Sequence, residues 1–280
     1  MNKRSLRILE FNKILSMVTE YATSPMAKRR VDRMKPQRDI EQIRKLQEET
    51  NDALNRLNRH GNISFSGLCD IGASIKRLEV AVSLWKHFVQ GTLTSKELLD
   101  IAAVLQVAKA AKQYGDGSDL TEALASRNQE PVSQTTFDSL TERFNMLLPL
   151  EHIASEINRC ILSENEYADD ASSGLKNIRR EIRLTNDKLH QQLDKIIKSD
   201  ANRDQLQDSL ITMRNGRYCI PVKQEYRSKF PGMIHDQSST GSTLFIEPMA
   251  VVNLNNQIKE LANEELLEIE KILESLSAQA

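Results

Sequence analysis

The chain has 280 residues, of which 39% are hydrophobic and 28% charged, so it can bury a core and is long enough for two structural units. Its low aromatic, Gly and Pro content favours helix, and the predicted fold class is mainly α. The formal net charge is -1, so a polyanion partner would have to be bound by locally clustered cations.

Cysteine usage and hydropathy exclude several classes of protein. Cys69, Cys160 and Cys219 are far apart and form no CxxC motif, which argues against a disulfide framework and against a zinc site, and favours a reducing cytoplasm. The start of the chain is basic and then amphipathic, without the apolar stretch of a signal peptide. No segment approaches the roughly 20 apolar residues needed to span a bilayer, so we expect no membrane partner.

Residues 1–165 are predicted to form a helical core. Helix starts are indicated by N-cap residues, by a proline in the first turn and by capping boxes, at Ser24–Pro25, Asp39 with Gln42, and Thr94 with Glu97. The second of these helices should end at the His60–Asn62 turn and the third near Gly115 and Gly117. A further apolar stretch, Phe137 to Ile161, should be broken or kinked at Pro149.

Two narrow apolar stripes predict a pair of long antiparallel helices. The first occupies an outgoing helix within 166–208 and the second a returning helix within 249–280, and the heptad spacing of both is typical of a two-helix coiled coil. The second stripe slips by one residue near Ala262 and continues through Leu266 and Ile269. Each helix should be on the order of 40 Å long.

The segment between the stripes, 209–248, carries the only convincing β-pattern. SLITM and RYCIPV flank Asn215-Gly216, a strong hairpin signal, and GMIHDQ and TLFIEP flank the turn STGS. A small β-rich element is therefore predicted at the far end of the helical pair. Because the last stripe reaches Leu276 without a stop signal, we expect the natural chain to continue beyond Ala280.

Recognisable catalytic machinery is absent from the sequence. It contains no GxxxxGK[ST], GxGxxG or HExxH motif, and the five histidines lie in separate segments, so no catalytic residue and no metal site are predicted. The string HDQSSTG contains His, Asp and Ser, but adjacent strand residues point to opposite faces, which disfavours a triad. Two interpretations of it remain open, a polar turn and a loop that contacts phosphate through Ser238 and Ser239.

The β-rich element carries a local excess of positive charge. Between Thr212 and His235 there are five cations and one acid, Glu225, with aromatic residues interleaved, a combination that suits phosphate neutralisation and stacking. The predicted nucleic-acid-binding residues are Arg214, Arg217, Tyr218, Lys223, Tyr226, Arg227, Lys229, Ser238 and Ser239.

Four alternatives to nucleic-acid contact stay open. The basic hairpin can be a solvated surface, and Tyr218 can be a core residue, since Tyr218, Ile220 and Val222 share one strand face. The cations near the start of the outgoing helix, Lys176 to Arg183, are better explained as a solvated coiled-coil face than as a polyanion contact. A rival from another class is a protein-interaction or dimerisation module in which the basic residues are incidental.

Several motifs resemble those of one known family. DASSGLKNIRREIR, RNGRYCIPV, HDQSSTGSTLFIEP and VVNLNNQIKEL are similar to the lever and clamp region of type-two MutS proteins, the bacterial paralogues that lack the mismatch-reading domain. LRILEFNKIL and FSGLCDI resemble the start of the same family. One departure is visible at Val82 to Leu93, which is longer than the short turn expected there.

The resemblance implies more than the spacing does. Such proteins are similar to homodimeric ATPases whose levers connect an ATP-binding domain to clamps that embrace nucleic acid, and many end in an Smr nuclease domain. They are associated with suppressing recombination on branched DNA or with rescuing collided ribosomes, so DNA or ribosomal RNA would be the partner. ATP, Mg²⁺ and the nuclease would belong to parts beyond Ala280, and no cofactor is expected within this chain.

Overall fold

The computed structural model describes residues 3–83, 91–116 and 137–280. Most of these residues are helical and the strands are few and short, so the predicted mainly α fold class is confirmed. The chain divides into two compact units, one made of Met1–Tyr167 with Leu273–Ala280 and the other of Ala168–Ile272. Of the helices described, none is long and apolar enough to cross a membrane.

The first unit is built from helices and one short hairpin. Its described helices are α1 (Lys3–Ile8), α2 (Phe11–Tyr21), α3 (Pro25–Asp32), α4 (Ile40–His60), α5 (Gly72–Ser83), α6 (Ser95–Asp116), α7 (Thr141–Asn145) and α8 (Glu151–Cys160). Strands β1 (Ile161–Ser163) and β2 (Glu166–Tyr167) pair in antiparallel fashion after α8, and the sequence did not predict them. Most of the segment Val82 to Leu93 lies outside the described residues, as does Gly117.

The predicted helix boundaries follow local capping chemistry. The Ser24 hydroxyl accepts a hydrogen bond from the Ala27 N–H, and the Asp39 carboxylate accepts one from the Glu41 N–H. Thr94 and Glu97 form a reciprocal capping box, with the Thr94 N–H donating to Glu97 Oε2 at 3.0 Å and the Glu97 N–H donating to Thr94 Oγ1 at 3.3 Å.

The predicted break at Pro149 separates α7 from α8. Leu150 follows it with φ 40° and ψ 55°, a left-handed conformation that is strained for a bulky residue. The core of the first unit lies between α6 and α8, where Leu98, Ile101 and Ile157 are buried.

Helix α4 buries a charged residue and exposes several apolar ones. Its apolar residues Ile40, Leu46, Leu54 and Leu57 are exposed among the described residues, whereas Arg56 is only 3% exposed. The Arg56 guanidinium binds Asp138, with Nε 2.5 Å from Oδ2, and also donates to the Gly115 carbonyl at 3.0 Å. A buried ion pair, which local periodicity cannot reveal, thus ties α4 to the start of α7 and the end of α6.

The second unit contains the predicted antiparallel pair, α9 (Ser173–Ile197) and the part of α11 (Val252–Gln279) that precedes Leu273, with the short α10 (Asp200–Arg203) between them in sequence. The Ser172 hydroxyl donates to Glu268 Oε1 at 2.8 Å, and Arg179 Nε donates to Glu265 Oε1 at 2.7 Å. These contacts join the beginning of α9 to the later part of α11, as antiparallel packing requires.

The second apolar stripe is only partly as predicted. Leu266 was placed in the seam after the slip near Ala262, but its side chain is 62% exposed. Leu261 and Ile272 are buried instead, and Glu265 and Glu268 lie on the same side, where they bind α9. The face of a straight helix rotates by about 20° per heptad relative to an exact seven-residue repeat. Extending that repeat past the slip therefore placed Leu266 in the seam, although it lies outside it.

A four-stranded antiparallel sheet lies between these helices in sequence. Its strands are β3 (Thr212–Arg214), β4 (Arg217–Lys223), β5 (Gly232–Gln237) and β6 (Thr243–Pro248), in the spatial order β3-β4-β6-β5. Strands β5 and β6 coincide with the predicted runs and β4 extends one residue beyond its run, whereas β3 shares only Thr212 and Met213 with the predicted SLITM. Asn215 and Gly216 have φ values of 50° and 72°, the left-handed pair that a type I′ hairpin needs. Strand β5 has a bulge between Ile234 and Asp236.

One hydrophobic cluster packs this sheet against α9. Leu189 and Leu193 contribute from the helix, and Ile220, Val222 and Ile246 from the inner face of the sheet, all fully buried. The β-rich element is therefore an integral part of the second unit, held by long-range apolar packing rather than by its turns alone.

Candidate nucleic-acid interface

The structure brings together one group of the predicted binding residues at one end of the sheet. The Gln224 N–H donates to the Ser242 carbonyl at 3.0 Å, and Lys223 is the strand partner of Thr243. The end of β4, the short 3-10 turn Gln224–Tyr226 that follows it and the β5–β6 turn are therefore adjacent. We call this region the basic end; it comprises Lys223, Arg227, Lys229 and the turn 238–242.

The three cations of the basic end differ in exposure but none forms an ion pair among the described residues. Arg227 and Lys229 are exposed, and the Lys229 ammonium lies 5.7 Å from the centre of the Tyr226 ring. Lys223 is half-buried and donates to the Asp204 carbonyl at 2.9 Å. Because the carbonyl is neutral, Lys223 keeps its net charge, so three positive charges remain uncompensated by ion pairs among the described residues.

The hydroxyls of the β5–β6 turn have different roles. Ser238 Oγ accepts the Thr243 N–H at 3.1 Å and so closes the turn, in which Gly241 adopts φ 75°. Thr240 and Ser242 hydroxyls lie 2.9 Å apart. Ser239 is exposed and makes no hydrogen bond within the described residues, so its hydroxyl is available to a partner.

The two tyrosines are half-buried against the hydrophobic cluster. The Tyr218 ring packs edge-on to His190, with ring centres 5.0 Å apart. This packing agrees with the alternative that Tyr218 is a core residue, and base stacking by either tyrosine stays a prediction.

Arg217 belongs to a buried polar network that sequence reasoning missed. Its Nη1 donates to Glu247 Oε1 at 2.8 Å and its Nη2 to Asn256 Oδ1 at 2.6 Å. Glu247 is 0% exposed and also accepts from Asn255 Nδ2 at 2.8 Å. These bonds satisfy the buried carboxylate and hold strands β4 and β6 to the start of α11. The Arg217 guanidinium is thus engaged internally, and phosphate contact by it stays a prediction.

His235 completes the network around Glu247. The bulge in β5 directs its ring so that Nε2 lies 2.5 Å from Glu247 Oε2, while its carbonyl accepts from Asn215 Nδ2 at 2.9 Å. The histidine of the HDQSSTG string therefore binds a carboxylate eleven residues beyond Asp236. The bond from the Thr243 N–H to Ser238 Oγ agrees with the turn-forming interpretation of that string, and phosphate contact through Ser238 and Ser239 stays a prediction.

Cys219 lies under the same network and is fully buried. Burial is the main cause that raises the pKa of its thiol, and the nearby Glu247 carboxylate adds to the effect, so that the pKa reaches about 11. No three His, Cys, Asp or Glu side chains come together as a metal site within the described parts of the chain.

Arg214 lies between the network and the basic end. Its guanidinium sits over the Phe245 ring, with Cζ 4.1 Å from the ring centre, and its Nε is 3.1 Å from Asp236 Oδ2. The side chain is 39% exposed and that of Asp236 is 48% exposed.

Curated proteins match this sequence over nearly its whole length, although no family model matches it. The chain is 48% identical over 277 residues to the endonuclease MutS2 of Lachnoclostridium phytofermentans and 47% identical to that of Agathobacter rectalis. The corresponding identity to endonuclease MutS2 of Clostridium botulinum strain Alaska E43 is 42%. Each match covers 99% of this chain but only 32 or 33% of the relative.

These relatives place the sequence among the MutS-type proteins, in agreement with the motifs that suggested them. Within that class, the chain belongs to the type-two MutS family. It spans about a third of the length of the relatives that it matches.

Proposed function

We propose that this chain is the nucleic-acid-gripping part of a MutS2-type protein, with the α9–α11 pair as a lever and the β-rich element as a clamp. The observation that carries the proposal is the basic end, where Lys223, Arg227 and Lys229 are free of ion pairs among the described residues and adjoin a turn with the exposed Ser239. Cations of this kind neutralise phosphates, and small hydroxyl-bearing turns allow close approach to the backbone.

The side chains of the basic end suit contact with the sugar-phosphate backbone of a nucleic acid rather than recognition of a particular base sequence. Lysines and hydroxyls bind phosphate oxygens in either DNA or RNA, so branched DNA and ribosomal RNA are both suitable targets. ATP, Mg²⁺, homodimerisation and the endonuclease activity in the relatives' name would then belong to the whole protein, acting in the cytoplasm. The role of this chain would be to hold the nucleic acid while other parts act on it.

The test is the salt dependence of binding by a triple variant, Lys223→Ala, Arg227→Ala and Lys229→Ala. Affinity of the 280-residue chain for a synthetic four-way DNA junction and for a ribosomal RNA fragment would be measured at several salt concentrations. Each phosphate contact contributes about -0.9 to the slope of log affinity against log salt on duplex DNA, so the slope should flatten by about 2 to 3.

A matched control removes the same charges from the first unit. Lys28, Arg30 and Lys45 are exposed, and the triple alanine variant at these positions changes the net charge equally. We expect its slope to equal that of the unaltered chain. An unchanged slope in the Lys223, Arg227 and Lys229 variant would refute the proposed interface.

A second candidate function, protein interaction, is favoured by exposed apolar side chains on and beside the β-rich element. Met213, Met233 and Met249 are all exposed there, and flexible Met side chains suit adaptable protein contacts. A complex that is insensitive to salt and survives nuclease digestion would support this function over nucleic-acid binding.

A further inference from the structure

The Arg214 guanidinium has a fixed orientation that suits anion binding, and its present anionic partner is the Asp236 carboxylate. Stacking over Phe245 fixes the plane of the guanidinium, which keeps its fork in one orientation. Nη1 donates to the Met213 carbonyl at 3.1 Å, and Nη2 has no partner among the described residues. Asp236 is the only carboxylate that the structure places against this guanidinium within the described chain.

The Arg214–Asp236 ion pair has poor hydrogen-bond geometry. Although Nε and Oδ2 are 3.1 Å apart, Nε is buried and has no properly aligned hydrogen-bond acceptor. An Arg–carboxylate pair of full strength is instead bidentate, with two parallel bonds. Because both side chains are partly exposed, water and salt weaken the attraction further, and a better-aligned anion can replace Asp236 at small cost.

The position of this pair is next to the basic end. Asp236 lies on β5, two positions before the turn residue Ser238, and two residues of extended chain span about 7 Å. Its strand partner is Phe245, directly beneath the Arg214 guanidinium. A nucleic-acid backbone seated on the turn 238–242 therefore has a phosphate within reach of Arg214.

We propose that Arg214 is a gated phosphate-binding residue, and that Asp236 occupies the position of the phosphate until nucleic acid displaces it. This inference rests on the proposed function of the basic end and adds a regulatory element to it. On binding, the guanidinium exchanges a carboxylate oxygen for a phosphate oxygen, and no covalent bond changes. The acid thereby lowers affinity for isolated anions, while a backbone that also engages the basic end can displace it.

The variant that isolates the gate is Asp236→Asn. Asn keeps an oxygen that can accept the Gln237 N–H, as Asp236 Oδ1 does at 2.8 Å, but it does not compete for Arg214 as a charge. Using the 280-residue chain and the four-way DNA junction at about 0.1 M salt, we expect the dissociation constant to fall about two- to fivefold, the range set by one exposed ion pair. Arg214→Ala should flatten the salt slope by about 0.9.

The double variant separates gating from simple removal of a negative charge. In the Arg214→Ala background, Asp236→Asn should no longer tighten binding, because the residue that it releases is absent. Glu225→Gln removes the charge of an exposed acid beside the basic end and should have the same effect with or without Arg214. Circular dichroism melts of each variant verify folding.

Three results would overturn the inference: weaker binding by Asp236→Asn, an equal gain with and without Arg214, or an unchanged slope in Arg214→Ala. If the Lys223, Arg227 and Lys229 variant loses affinity while any of these occurs, the gate fails and the basic end stands. If that triple variant retains full affinity, the proposed function fails, whatever Arg214 does.

Discussion

Glu247 is the residue on which the arrangement of the β-rich element depends. Its fully buried carboxylate accepts from Arg217 and Asn255 and contacts His235, so partners arrive from β4, β5 and α11. A buried charge is tolerated only when its partners are all in place, because each unsatisfied group retains its desolvation cost. The network therefore fixes the strands relative to the helix through polar geometry in addition to apolar packing.

Removal of Glu247 should destabilise the protein strongly. Glu247→Ala leaves Arg217 without its carboxylate, and breaking a buried pair in this way costs about 3–5 kcal/mol. Urea unfolding followed by circular dichroism would measure the loss. The matched control is Glu264→Ala on the exposed side of α11, for which we expect a change within about 0.5 kcal/mol. Equal stability of the two variants would contradict the structural role of Glu247.

Strand alternation predicts which face Glu247 occupies but not its burial. Leu244 and Ile246 point to the hydrophobic cluster, so Phe245 and Glu247 must point to the other face. That face is covered because the β3–β4 hairpin reaches β5, where Asn215 binds the His235 carbonyl. Contacts between residues twenty positions apart leave no periodic signal, so a charged residue at such a position is by default predicted to be exposed.

At the scale of the element, the start of α6 illustrates what short-range chemistry can specify. The Thr94–Glu97 box was predictable because both partners lie within four residues. Ser74 and Arg77 of α5, which also bind the Glu97 carboxylate at 3.1 and 2.6 Å, were not. Glu97 thus caps α6 and ties it to α5.

The carboxylate of Glu97 should make stability depend on pH. Burial alone would raise its pKa, but hydrogen bonds from the Thr94 N–H, the Arg77 guanidinium and hydroxyl groups outweigh this and lower the pKa from 4.5 to about 2. A lowered folded-state pKa gives stability that is present above pH 4.5 and is lost as pH falls towards 2.

Comparison with Glu97→Gln tests this dependence. The variant should be less stable by about 1–2 kcal/mol at neutral pH, through the weakened cap and lost charge, and the difference should shrink between pH 4.5 and 2. Thermal unfolding at a series of pH values would measure it, with the exposed Glu48→Gln as a control that shows no such trend. A pH-independent difference would be inconsistent with the ionised carboxylate acting as the cap.

Across the whole molecule, amino-acid composition does not show where the charged residues cluster or which residues form the hydrophobic core. The net charge is -1, yet the sheet of the second unit carries an uncompensated basic end. All four strands of that sheet were predictable because their turns are local. The cluster that holds them was not, because Leu193 and Leu206 come from outside the strands and join residues far apart in sequence.

Two leucines of the helical pair should differ sharply on truncation. Leu193→Ala removes a fully buried side chain from the cluster, which costs about 2–5 kcal/mol and should lower nucleic-acid affinity near the melting temperature. Leu266→Ala alters a side chain that is 62% exposed and should change stability by less than about 0.5 kcal/mol. Denaturant midpoints give the change in stability of each variant. A larger loss for Leu266→Ala than for Leu193→Ala would support the heptad register predicted from the sequence.

The burial of Cys219 gives the sheet an internal reporter of its own opening. With a pKa of about 11 and no exposed surface, the thiol is inert to alkylating reagents while the strands are closed. The rate at which Cys219 is alkylated in the native protein therefore reports how often the β3–β4 hairpin opens. The free energy of this local opening follows from that rate. A nucleic acid that clamps the β-rich element would register as slower alkylation at this one sulfur.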